Sequence, residues 1–236
     1  MRTFVVILGG GDVGWSRHLV ASRGISWHLV AAELRRHGHE VFAPDLPADG
    51  DTLTLEDYAE AVVEIVGARR AVTVVGHSFG AFTAPLVAGQ LAADELALFA
   101  GMIPTPGESS SQWWENSGYT VASASRSAQD GGLTGNDDPL VSFYNGVPRA
   151  LAEEALRRER AHPSQEAMER PWPLREWPDL STRVVVFSDD RFFPSAFLRD
   201  LAATRLGLTA DELPGGHCAM LSHPVEIADL LCGDAG

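Results

Sequence analysis

The sequence predicts an α/β protein, a parallel sheet of about six strands with helices on both faces. Apolar runs of strand length alternate with segments of helical spacing, the runs are continuous, and glycine or proline punctuates their ends. A chain of 236 residues, 45% of them hydrophobic, holds one such domain with a full core and is short for two.

The elements follow in order. Thr3–Leu8 (TFVVIL) is β-branched and apolar and stops at Gly9-Gly10-Gly11, as a strand buried on both faces does. Trp27–His37 places Leu29, Val30, Ala32 and Leu34 at helical spacing, and Gly38 closes it. Glu40–Ala43 is a short strand ended by Pro44. In Thr54–Val66, Thr54 and Asp57 have capping-box spacing, and Tyr58, Val62, Ile65 and Val66 form an apolar face. Ala71–Val75 is the next strand, leading through Gly76-His77-Ser78-Phe79-Gly80 into an apolar helix from Ala81 to about Ala93; Leu96–Ala100 is another strand. From Pro104 to Ser181 the pattern dissolves into Gly, Ser, Pro and Trp, with one clear helix at Arg149–Arg160. That stretch is too long for a connecting loop, so residues 104–181 read as a lid inserted into a core of residues 1–103 and 182–236. Order returns with the strand Arg183–Phe187, a helix near Ser195–Leu206, a short strand around Thr209–Leu213 and a final helix, His223–Leu231.

Bulk properties narrow the function. All 18 basic residues are arginines; against 32 acidic residues they leave a formal charge of −14. Such a surface disfavours nucleic acid, anionic membranes and other strongly anionic partners, which leaves a small-molecule substrate as the expected partner. The apolar run after Met1-Arg2 is too short for a signal peptide or a membrane span, and the expectation is a cytoplasmic protein. Two cysteines, Cys218 and Cys232, suggest neither a disulfide scaffold nor a metal site.

The chemistry-bearing residues lie at strand ends. Gly76-His77-Ser78-Phe79-Gly80 is a G-x-S-x-G motif, weak by itself but here closing an apolar strand and opening a helix, the context of a nucleophile elbow. A serine at the tip of that turn projects above the sheet, and the helix N-terminus puts partial positive charge beside it. A serine hydroxyl needs a histidine base, and the base needs a carboxylate to fix its tautomer. Of eight histidines, His217 alone follows the last strand on a glycine-rich loop, Pro214-Gly215-Gly216-His217. His77, inside the elbow, is expected to point away from the serine. For the acid, Ser188-Asp189-Asp190-Arg191-Phe192-Phe193-Pro194 follows the strand ending at Phe187; Asp190, four residues before Pro194, is favoured, with Asp189 then facing solvent or capping the loop. The catalytic set is thus Ser78, Asp190 and His217, and its chain order agrees with an α/β-hydrolase.

These residues, with Phe4–Trp15, Ala43–Pro47, Thr54–Tyr58, Met102–Pro104 and Asp190–Pro194, resemble the α/β-hydrolase superfamily, in particular its small esterase branch of plant methylesterases and hydroxynitrile lyases. The resemblance spans nearly the whole chain and is weakest in the lid. It implies the α/β-hydrolase fold and cofactor-free hydrolysis of a small ester, lactone or amide. It also implies an oxyanion hole made of the Gly10 and Phe79 N–H groups, or Gly11 if the alignment slips by one. The chain departs from the branch at Leu8-Gly9, where His-Gly is usual. It also carries an apparent ten-residue insertion, because Ser16–Ala21 is nearly repeated as Ser26–Ala31; the extra segment, Arg17–Ser26, is expected to border the pocket.

All six tryptophans fall outside or at the edges of the scaffold elements. Lid tryptophans ordinarily pack a lid onto its body; their concentration still suggests an apolar, partly aromatic pocket, with Trp15, Trp113 and Trp114 as candidate substrate contacts. The leading expectation is a serine esterase or lactonase. A lyase of the hydroxynitrile type would want a lid lysine, and the chain has none. A thioesterase docking an acidic carrier would meet like charge. A small-ligand receptor would have no use for an intact triad.

Overall fold

The computed structural model describes residues 1–8, 27–44, 46, 52–157 and 163–233. Six strands form a single parallel sheet among these residues: β1 (Thr3–Ile7), β2 (Glu40–Phe42), β3 (Val72–His77), β4 (Glu95–Phe99), β5 (Ser181–Phe187) and β6 (Asp211–Leu213), in the order β2-β1-β3-β4-β5-β6. Every residue of β1, β3 and β4 is buried, which is why these strands are predominantly apolar on both faces. The chain moves one way along the sheet from β1 to β2 and the other way from β2 onward. Right-handed connections therefore put α1 (His28–Arg36) on one face and α2 (Leu55–Val66) and α3 (Gly80–Leu91) on the other. Packing agrees: α2 lies on α3. The reversal falls between β1 and β3, and a doubly wound sheet opens a crevice for ligands beyond the strand ends at that point.

Local signals account for the helix boundaries. Thr54 Oγ1 accepts the Asp57 N–H at 3.2 Å while Asp57 Oδ2 accepts the Thr54 N–H at 2.7 Å, the reciprocal capping box its spacing predicts. These bonds hold the Asp57 carboxyl below its usual range. Past α1, Gly38 takes a left-handed φ of +83° that a side chain would resist.

Between β4 and β5, where the pattern predicts one helix, the described residues form five: α4 (Ser110–Asn116), α5 (Tyr119–Gln129), α6 (Pro139–Ser142), α7 (Arg149–Arg157) and α8 (Gln165–Glu169). The starts of α4, α6 and α8 are capped by Ser109, which forms a capping box with Gln112, by Asp138 ahead of Pro139, and by Ser164. The predicted helix at Arg149–Arg160 is α7, and its last three residues lie outside the described ones. Two indole N–H groups hold this insertion to the body, Trp113 donating to the Ile103 carbonyl (3.0 Å) and Trp172 to Phe82 (2.9 Å), while Trp177 donates to Pro104 (3.2 Å) at the insertion's own start. Each such bond adds on the order of 1 kcal/mol net to the apolar area buried with it. The Glu108 carboxylate, 3% exposed, pairs with Arg205 in α9 (Ser195–Leu206), whose guanidinium also donates to the Ile103 carbonyl at 2.7 Å. The last element of the described residues is α10 (Pro224–Cys232), packed on α1. Among the described residues no helix is long and apolar enough to cross a membrane.

Candidate active site

Ser78 follows directly on β3 with φ +54°, in the left-handed region that costs a side-chain-bearing residue about 1–2 kcal/mol. The surroundings over-determine it. Its N–H donates to the Phe99 carbonyl at the end of β4 (3.1 Å), and its carbonyl accepts from Met102 (3.0 Å) and from Ala81 in α3 (3.1 Å). The flanking glycines are required by space. A Cβ on Gly76 would meet Ala84 Cβ at 2.8 Å, and one on Gly80 would collide with the Ile7 carbonyl of β1. The turn therefore carries a half-buried serine on its tip. No described residue hydrogen-bonds the Ser78 hydroxyl, and none accepts the Phe79 N–H, which stands free at the start of α3. In unliganded sites the nucleophile–base bond is often long and tightens when substrate binds.

His217 lies on the loop after β6 and is 2% exposed; Asp190, 5% exposed, follows β5. His217 Nδ1 and Asp190 Oδ2 are 2.9 Å apart, and a carboxylate only accepts, so Nδ1 carries the proton and Nε2 is left as the basic nitrogen. The other carboxylate oxygen, Oδ1, accepts the N–H groups of Phe192 and Phe193, both at 2.8 Å, which fixes the plane of the carboxyl. Asp189 is exposed; its side chain takes only the neighbouring Ser188 hydroxyl, at 3.2 Å. Phe143, Phe192 and Phe193 surround the imidazole edge to face, with centroids 5.0–5.3 Å away. Reading the sequence singled out none of the three as part of the pocket, although Phe192-Phe193 beside the acid was a signal for it.

The remaining predicted site residues fare differently. Gly10, Trp15 and the Arg17–Ser26 segment lie outside the described residues. Trp113 is wholly buried, its ring among Trp114, Tyr119, Phe193 and Phe197 and its N–H on Ile103; that is the position of an anchor rather than of a surface that meets substrate. Trp114 is half-buried against Tyr119, Phe192 and Phe193, at the outer side of the same aromatic cluster. His77 is buried and turned toward the His217 loop, its Nε2 at 3.1 Å from the His217 carbonyl. Burial first, and then the neighbouring His217, push the His77 pKa well below its usual value.

A parallel sheet of this order with a serine elbow after its central strand is the frame of an α/β-hydrolase. The chain belongs to that family: the model of the alpha/beta hydrolase family matches residues 5–230. Polyneuridine aldehyde esterase shares the fold with a TM-score of 0.74 at 18% identity, covering 98% of both chains. An extracellular alpha/beta-hydrolase from a Paenibacillus species, described as structurally and functionally homologous to tobacco salicylic acid binding protein 2, gives 0.73 at 19% identity and the same coverage. A pyrethroid hydrolase from Sphingobium faniae gives 0.65 at 18% identity over 98% of this chain and 96% of that one. Comparison with curated protein sequences gives no match.

Proposed function

We propose that the protein is a serine hydrolase that cleaves a small, apolar carboxylic ester or lactone through an acyl-serine intermediate. The observation that carries this reading is the buried Asp190–His217 pair, at 2.9 Å, on loops beyond the same sheet edge that carries the Ser78 elbow. In the proposed reaction His217 Nε2 takes the Ser78 proton as Oγ bonds to the substrate carbonyl carbon. The oxygen of the tetrahedral intermediate receives the free Phe79 N–H and, by the family resemblance, that of Gly10. One such donor is commonly worth on the order of 10²–10³ in rate. Collapse breaks the ester bond, with His217 returning the proton to the leaving alcohol. Water, activated by the same imidazole, then releases the acid and frees Ser78. The phenylalanines around His217 keep water off the imidazole and favour an apolar acyl or ring group.

A fluorophosphonate probe tests the nucleophile, and a panel of neutral esters, lactones and thioesters tests the substrate class. Absence of both labelling and turnover would defeat the reading. The −14 charge adds a further expectation. Neutral apolar thioesters should show a higher kcat/KM than acyl-CoA of equal chain length at low salt, and added salt should narrow the gap by screening repulsion. A higher value for acyl-CoA at low salt would contradict it.

A further inference from the structure

His217 is held at two places, and only one of them is its acid. The second is its main chain. The His217 carbonyl faces His77 Nε2 at 3.1 Å, and a carbonyl only accepts, so His77 is the donor. His77 is the last residue of β3, paired in register with Phe99 of β4, and the immediate neighbour of Ser78. It is 5% exposed, with the Trp27 ring centroid 6.1 Å away on one side and the His217 ring centroid 4.9 Å away on another. The loop it grips needs a grip. It contains Gly215 at φ +113°, and its other main-chain ties to the rest of the fold run from Asp189 to the Gly215 carbonyl (3.0 Å) and from Cys218 to the Phe143 carbonyl (3.1 Å). Neither tie reaches the elbow. The hydrogen bond from His77 spans the nucleophile's strand and the base's loop directly.

We infer that His77 is a positioning residue, donating from the strand that carries Ser78 to the main chain of His217 and so setting the distance between nucleophile and base. Burial keeps the His77 imidazole neutral, and a proton arriving on His217 during turnover disfavours a second charge beside it. The donor therefore persists through every proposed step. Displacements of about 1 Å at a catalytic group can cost on the order of 100-fold in rate, which is the scale on which a lost tether should register. Sequence patterns give no hint of this role, because donor and acceptor are 140 residues apart.

The role rests on the serine-hydrolase reading, so Ser78→Ala is run beside it. His77→Phe keeps the ring volume and removes the donor; His77→Gln places an amide N–H near the Nε2 position with poorer packing. With p-nitrophenyl butyrate, His77→Phe should lower kcat about 10- to 100-fold with KM within about threefold, and slow fluorophosphonate labelling in step; His77→Gln should recover most of the loss. A role in packing alone predicts the reverse ranking, with Phe the better substitute. Reversed ranking, or a folded His77→Phe enzyme with wild-type kcat, overturns the inference. If circular dichroism shows His77→Phe unfolded, His77→Met takes its place as the donor-less variant with the same expectation. A wild-type enzyme that neither labels nor turns over the ester, or a Ser78→Ala variant that still does, would instead sink the hydrolase reading itself.

Discussion

Ser78→Ala is expected to abolish ester turnover, lowering kcat on the order of a millionfold, and to leave the fold intact. Alanine has no oxygen to bond to the substrate carbonyl, and no described residue offers a replacement nucleophile at the elbow tip. Stability should change little, within about 0.5 kcal/mol, because the lost hydroxyl is half-buried and makes no hydrogen bond in the unliganded site. Alanine keeps a Cβ at φ +54°, so the backbone cost of the elbow is the same in both proteins. Turnover of p-nitrophenyl butyrate, fluorophosphonate labelling and thermal melting of purified wild type and variant check the three parts. A variant that melts like wild type and still hydrolyses the ester at the wild-type rate would remove Ser78 from the mechanism.

Asp190→Asn should be nearly as damaging, with kcat falling on the order of 10⁴-fold, while Asp189→Asn stays close to wild type. The asymmetry follows from the bonds. Asp190 Oδ1 accepts two main-chain N–H groups, so asparagine must keep its carbonyl oxygen there and turn its NH₂ toward His217 Nδ1. That donor forces Nδ1 to become the acceptor and moves the ring proton to Nε2, where the base has to be bare. The opposite rotamer would aim NH₂ at the Phe192 and Phe193 N–H groups and leave buried donors unpaired. At the exposed Asp189 the same change disturbs one bond to the Ser188 hydroxyl. Steady-state kinetics on the two variants decides between them, and a larger loss for Asp189→Asn would move the acid by one residue.

Much of the body was legible because its strands lie buried on both faces and so carry apolar runs that end where the strands end. Thr3–Leu8 and Arg183–Phe187 each fall within two residues of β1 and β5 at both ends. Strand-end position points to both Asp189 and Asp190, and the place of Asp190 four residues before Pro194 favours it; in the structure Asp190 is buried and Asp189 exposed. The insertion was not legible, for a physical reason. Helix α5 buries none of its residues fully, so it has no apolar stripe to show, and α6 is only four residues long. What marks α4 and α6 is capping chemistry, Ser109 with Gln112 and Asp138 before Pro139, which a search for hydrophobic period passes over. The partners of His77 and Trp113 are not legible in sequence because they come from elsewhere in the fold: the His217 loop for one, and Ile103 together with Phe193 and Phe197 for the other.

The indole bonds between insertion and body give the protein an optical gauge of its own. Trp113 and Trp172 are dry, at 0% and 2% exposure, only while the insertion stays docked through the Ile103 and Phe82 carbonyls. Their emission should be blue-shifted in the native state and move to the red when water reaches the rings. Far-UV circular dichroism weighs the backbone of sheet and helices instead. If the two signals trace one curve in urea, insertion and body melt as a single cooperative unit. If emission reddens first, the insertion detaches at a lower free energy than the sheet, as a separate unit of the native landscape.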